Sequence, residues 1–199
     1  DAAISWASPI IVQIGEEERL FVSSSSHVSA ISPLNGELIW NQPYMSGEVA
    51  CSPAYAKGRL YFMNDGADAV AVEPDNGELL WKNADLYLPD ISSPVASGDT
   101  LFWATSSDFI YAADRETGKM LSEWEADAGF SSSPIAIGDK IYFTDITGVT
   151  YIFQASGELS DPIVNELGEK VQTTPAFVDD KMFIRADKHL YCIGGEPGK

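Results

Sequence analysis

The chain has 199 residues, 45% of them hydrophobic and 21% charged, the balance of a folded globular protein rather than a disordered one. A formal net charge of −18, from 30 acidic and 12 basic residues, repels both a phosphate backbone and an anionic membrane surface, so nucleic acid and direct membrane insertion are not expected. No apolar run approaches the roughly 18 residues of a membrane helix, and no basic, apolar leader opens at Asp1.

The first recognisable signal along the chain is Ser8-Pro9, and it recurs at Ser52-Pro53, Ser93-Pro94, Ser133-Pro134 and Thr174-Pro175, with the prolines 44, 41, 40 and 41 residues apart. In the first copy an apolar run, Leu20-Phe21-Val22, follows an insertion that contains Glu16, Glu17 and Glu18. In the other four copies the run begins seven residues beyond the proline, at Leu60, Leu101, Ile141 and Met182. The turns between proline and run are Lys57-Gly58, Gly98-Asp99, Gly138-Asp139 and Asp179-Asp180, which are hairpin signals. A third run follows in each copy: 28–31, 69–72, 110–113, 150–153 and 190–193. Then comes a glycine turn, at Gly36, Gly77, Gly118 and Gly157, where a short loop needs positive φ. A fourth run closes the unit, as in Leu38-Ile39-Trp40 and Leu79-Leu80-Trp81. Trp124 lies two residues farther from its glycine than Trp40 and Trp81 do, which predicts a β-bulge in the third copy. The fifth copy lacks a fourth run, because Ile193 is followed by Gly194-Gly195-Glu196-Pro197-Gly198.

Four short strands repeated at about 41 residues predict the blades of a β-propeller. The fold class is therefore all-β, with repeats at about 5–44, 48–85, 89–127, 129–168 and 170–195 of a single domain spanning 1–199. Runs such as Leu60-Tyr61-Phe62-Met63 are apolar on consecutive residues, as a strand is when both faces of its sheet are covered by neighbouring blades. Two arrangements fit five copies: a five-bladed ring, with Asp1–Ile4 supplying the last strand, or the C-terminal part of a larger propeller. The second is favoured because the chain opens directly into a blade. An open blade edge also predicts self-association. Cys51 and Cys192 each fall in an apolar strand pattern and are expected to be small buried residues; a disulfide would need their strands to meet.

The pattern Ser-Pro, turn, Leu-Tyr-Phe, then Ala-Val-Glu-Pro-Asp-Asn-Gly-Glu-Leu-Leu-Trp resembles the PQQ-like (quinoprotein-type) repeat, over about residues 5–194 and best at 69–81. That repeat forms the blades of quinoprotein alcohol dehydrogenases and of BamB-type outer-membrane assembly lipoproteins. The resemblance implies that Trp40, Trp81 and Trp124 dock one blade onto the next. In the family's enzymes, pyrroloquinoline quinone sits on the axis between a tryptophan and a disulfide of adjacent cysteines, beside a calcium ion. No adjacent Cys-Cys occurs in this chain, so no cofactor is expected, with quinone plus calcium as the alternative. Trp6, on the innermost strand, is the candidate for stacking on an axial ligand.

His27 and His189 begin the third strands of the first and fifth copies and form only a thin metal candidate, since no third ligand is evident. Asn64-Asp65-Gly66-Ala67-Asp68 lacks the ligand spacing of a calcium loop and reads as a turn. The loops between blades carry Tyr44, Met45, Leu86, Tyr87, Leu88 and Phe130, large apolar groups in polar surroundings, which suit either a partner interface or plugs over the blade edges. The leading expectation is a non-catalytic scaffold, resembling BamB, that binds a protein or peptide through these loops in the periplasm, at the cell surface or outside the cell. The alternatives are a fragment of a quinone-dependent dehydrogenase or other ligand-binding propeller, and a sensor module of a larger protein.

Overall fold

The computed structural model describes residues 5–194, so the closing strand expected at Asp1–Ile4 lies outside the described residues. Five antiparallel meanders follow one another along the chain. The first is β1 (Ile10–Ile14), β2 (Glu17–Ser23), β3 (Val28–Ile31) and β4 (Leu38–Gln42). The second is β5 (Ala54–Ala56), β6 (Arg59–Phe62), β7 (Ala69–Val72) and β8 (Leu79–Asn83). The third is β9 (Val95–Ser97), β10 (Thr100–Ala104), β11 (Phe109–Asp114) and β12 (Met120–Glu125). The fourth is β13 (Ile135–Ile137), β14 (Lys140–Thr144), β15 (Val149–Gln154) and β16 (Ile163–Glu166). The fifth has three strands among the described residues: β17 (Ala176–Val178), β18 (Lys181–Arg185) and β19 (Leu190–Gly194). The Glu16–Glu18 insertion lengthens the first hairpin, whose strands pair from Ile10–Phe21 to Ile14–Glu17.

Consecutive apolar residues serve two interfaces at once. From β6, Leu60 and Phe62 pack with Phe21, Val28, Ala30 and Trp40 of the first sheet. The intervening Tyr61, with Met63 just beyond, packs with Leu101, Trp103 and Tyr111 of the third. Likewise Phe102 and Ile110 meet Ile141, Phe143 and Phe153 across the next interface. Burying each such side chain contributes about 1.5–3 kcal/mol. The last interface is thinner, with Val171, Ile184 and Ala186 as its buried members.

The recurring Ser/Thr-Pro pair has a direct structural purpose. The Ser8 N–H donates to Ser52 Oγ, Ser52 N–H to Ser93 Oγ, Ser93 N–H to Ser133 Oγ and Ser133 N–H to Thr174 Oγ1, each at 2.9 Å. Each hydroxyl thus receives the amide of the preceding blade, while the proline behind it keeps the backbone extended. One residue type at one position in five copies makes a continuous inter-blade ladder.

The glycine turns explain the tryptophans. A Cβ on Gly77 would lie 2.7 Å from the Trp40 ring, and one on Gly118 would lie 2.6 Å from the Trp81 ring. Each indole also donates across the interface, Trp40 Nε1 to Pro74 O at 2.9 Å and Trp81 Nε1 to Arg115 O at 3.0 Å. Trp124 also meets the next blade, but not at the glycine turn. The fourth strands of the first three sheets all carry the same bulge, opposite Ala30/Ile31, Ala71/Val72 and Ala112/Ala113. In that register Ser122 opposes Ala112 as Trp40 opposes Ala30, and Trp124 stands one pleat farther on, opposite Ile110. Ser122 Oγ bonds Gly157 O at 2.8 Å, and Leu121 covers Gly157 in place of an indole. Trp124 instead packs on Tyr151 and Phe153.

One of the two cysteines, Cys192, also differs from expectation. Both are free; Cys51 is buried, but Cys192 is exposed on β19. Beyond the fifth sheet no further blade covers that face among the described residues, so the alternation that would bury Cys192 has nothing to pack against.

Candidate functional site: the loop face over the second and third blades

In a meander propeller the loops between blades and the turns between second and third strands share one face. The β5–β6 and β11–β12 type turns lie on the other. On the loop face a groove of about 630 Å³ is lined by Asp65–Ala67, Leu86–Leu88, Asp90, Thr105–Ser107, Phe109, Tyr111 and Glu123. Its frame is rigid. The Trp103 indole N–H donates to Tyr87 O at 2.8 Å, and Asp65 N–H donates to Pro89 O at 2.8 Å, so the loop between the second and third blades is tied to both. Asn64 is fully buried, accepting from Ala50 N–H and donating to Glu48 O, which anchors the preceding loop in the same way.

Of the six loop residues singled out from the sequence, three are buried, and of these only Leu86 borders the groove. Met45, Leu86 and Phe130 sit in the inter-blade cores as plugs, because an apolar side chain at a blade corner gains more from the adjacent core than from water. Tyr44 is partly buried and donates its hydroxyl to Gly77 O at 3.4 Å. Leu88 is half-buried against the same core as Leu86. Tyr87 alone of the six stands out, 72% exposed. Its ring stacks on Tyr111 at 6.2 Å, and Tyr111 in turn stacks on Trp103 at 5.5 Å and Phe109 at 6.0 Å. Burial, the neighbouring Glu123 carboxylate and Tyr87 push the Tyr111 hydroxyl above its usual range, so it remains a neutral donor at neutral pH. Tyr111, Phe109, Asp90 and Glu123 were not singled out from the sequence and Asp65 was read only as part of a turn, because these residues lie far apart in the chain and meet only in the groove.

Trp6 is 62% exposed and lines an adjoining groove of about 580 Å³ with Glu48, Ala50, Asp65, Asp90 and Ile91. Its backbone N–H is held by Val49 O at 2.8 Å, on the segment before β1. The donor set for a calcium–quinone pair is not assembled around it. The sequence has no adjacent cysteines, and no group of three His, Cys, Asp or Glu side chains among the described residues could hold a metal. The two histidines are engaged within their own blades. His27 Nδ1 lies 2.7 Å from Ser26 Oγ, and His189 Nδ1 lies 2.9 Å from Glu169 Oε2. Partial burial pushes the Glu169 carboxyl up, but hydrogen bonds from His189, Tyr191 and the Lys188 N–H outweigh it and hold the group at about 2.

Fold and repeat together define a β-propeller of blades stacked through tryptophan–glycine and hydroxyl–amide contacts. Residues 70–160 match a family model of the PQQ-like repeat described as "Outer membrane protein assembly factor BamB", and over that stretch the blades of this chain are similar to PQQ-like propeller repeats. Among solved structures, BamB from Moraxella catarrhalis is similar over 98% of this chain and 62% of its own, at 15% identity and a TM-score of 0.76. Sqt1 from Saccharomyces cerevisiae is similar over 95% of this chain and 59% of its own, at 12% identity and a TM-score of 0.74. Quinohemoprotein alcohol dehydrogenase from Comamonas testosteroni is similar over 97% of this chain and 42% of its own, at 13% identity and a TM-score of 0.70. At such identities the likeness is one of fold, shared by proteins of unlike activity. A comparison of the sequence with curated proteins finds no match.

Proposed function

We propose that this propeller is a non-catalytic, protein-binding scaffold of the cell envelope, which captures a segment of a partner protein on its loop face. The observation that carries this reading is the groove beside Tyr87. An exposed aromatic ring is braced from behind by Tyr111 and Trp103, on loops clamped by backbone hydrogen bonds. Such a surface is pre-organised, so little ordering opposes binding, and rigid aromatic groups are what protein interfaces use as anchors. The match of residues 70–160 to the BamB family model takes in the groove residues from Leu86 to Glu123 and supports an envelope assembly role.

The test is site-specific photo-crosslinking in an envelope extract. A benzophenone amino acid in place of Tyr87 should yield discrete cross-linked protein species. The same group in place of Leu34, 94% exposed on the opposite face, should not. Equal labelling at both positions, or none at position 87, would remove the loop face from the argument.

A further inference from the structure

We propose that the occupant of the loop-face groove is a basic segment, an extended peptide that places a Lys or Arg side chain between Tyr87 and the carboxylates of Asp65, Asp90 and Glu123. This deepens the scaffold reading above and rests on it. The groove walls carry three acidic side chains and no basic one. None of the three is in an ion pair among the described residues; Asp90 Oδ1 accepts only the Ser106 N–H, at 3.3 Å.

The distribution of positive charge around the disc sharpens the point. Residues 5–130 contain six cations: Arg19, Lys57, Arg59, Lys82, Arg115 and Lys119. Five of them belong to the turns or strand ends of the opposite face, where four pair with Asp75, Asp99 or Glu116. Arg19 pairs with Asp75, Lys57 and Arg115 with Asp99, and Arg59 and Arg115 with Glu116. On the loop side Lys82 pairs with Asp68 and leaves the groove's own carboxylates free. Four of the five far-side cations are thus engaged with far-side carboxylates, and no cation among the described residues pairs with Asp65, Asp90 or Glu123. The adjoining groove shares Asp65 and Asp90 and ends on the exposed ring of Trp6. Two exposed aromatic rings, Tyr87 and Trp6, therefore flank a carboxylate pair. A guanidinium or ammonium group gains there from both carboxylate and ring face, and its aliphatic stem covers the apolar wall. The net charge of −18 steers such a segment to the surface.

The probe is a dye-labelled peptide of alternating Arg and Ser, titrated against the 199-residue chain and followed by fluorescence anisotropy. Saturable binding is expected, weakening as salt rises from about 50 to about 300 mM. The double variant Asp65→Asn, Asp90→Asn and the single variant Tyr87→Ser should each weaken it by about five- to tenfold. Asp139→Asn with Glu37→Gln makes the same change of charge on the opposite face and should leave binding within about twofold. Equal weakening by the two double variants would show diffuse attraction to an acidic protein and overturn the proposal. So would equal binding of a peptide with Gln in place of Arg. If partner cross-linking at position 87 persists in the Asp65→Asn, Asp90→Asn chain, the basic-segment proposal fails and the scaffold reading stands. If cross-linking at position 87 is absent from the unmodified chain, both fail.

Discussion

Alanine in place of glycine at the third-to-fourth strand turns isolates what holds one blade to the next. Gly36, Gly77 and Gly118 occupy the same turn position with φ of 74°, 70° and 70°. Alanine is strained by about 1 kcal/mol at any of them. Only the surroundings differ. A Cβ at Gly36 meets nothing within 4 Å, whereas one at Gly77 or Gly118 would lie 2.7 or 2.6 Å from an indole carbon of the preceding blade. The indoles cannot yield freely, because each is fixed by its own N–H bond to Pro74 or Arg115 and packed in the interface. Overpacking of that kind adds about 1–3 kcal/mol. Gly36→Ala should therefore cost about 1 kcal/mol in this chain, and Gly77→Ala and Gly118→Ala about 2–4 kcal/mol. Urea unfolding followed by far-ultraviolet circular dichroism measures the three midpoints under one condition. Equal losses at all three positions would refute the docking argument, since backbone strain alone would then account for them.

Three further outcomes follow from the same structure. Ser93→Ala removes the acceptor of the Ser52 amide, 2.9 Å away, and should cost about 1 kcal/mol. Amide exchange read by nuclear magnetic resonance should then show lost protection at Ser52; unchanged exchange there would refute the ladder. Glu169, held at about 2 against an ordinary 4.5, is ionised in the folded chain where the unfolded chain begins to bind a proton. Its stabilising contribution is complete above pH 4.5 and is lost as pH falls from there towards 2. Glu169→Gln should flatten that part of the stability–pH curve, and an unaltered curve would show that the carboxylate is not a source of it. A thiol reagent at pH 8 should modify one cysteine of the native chain rapidly, Cys192, which is exposed. Cys51, where burial and then the nearby Asp90 and Asp65 push the thiol up to about 12, should react only after denaturant is added. Modification of both before unfolding would contradict the packing of the second blade.

Much of the architecture was legible because propeller physics repeats itself in sequence. Prolines at near-constant spacing in five copies, glycine at one turn position in four, and apolar runs without alternation each answer to a local or nearest-blade requirement. The bulge expected at Trp124 shows where this ends. Spacing registered two extra residues, but the bulge belongs to every fourth strand of the first three blades. What differs is that Ser122 takes the indole's place while Trp124 turns to Tyr151. A linear offset cannot distinguish an inserted residue from a side chain displaced by one pleat.

The loop residues divide along the same line. Tyr44, Met45, Leu86, Tyr87, Leu88 and Phe130 look alike in sequence, each an apolar residue among polar neighbours. Whether such a residue plugs a blade corner or faces water depends on which side of the corner its backbone presents, and the neighbouring blade sets that. By itself the sequence determined the repeat, its four strands, the recurring Ser/Thr-Pro and glycine positions, and the surplus of negative charge. Only the tertiary structure decided that Tyr87 is exposed while Phe130 is buried, and that Asp65, Asp90 and Glu123 meet in one groove. It also decided that Arg19, Lys57, Arg59 and Arg115 pair with carboxylates on the far side. These are relations among residues of different blades, and their distances exist only once the blades are stacked.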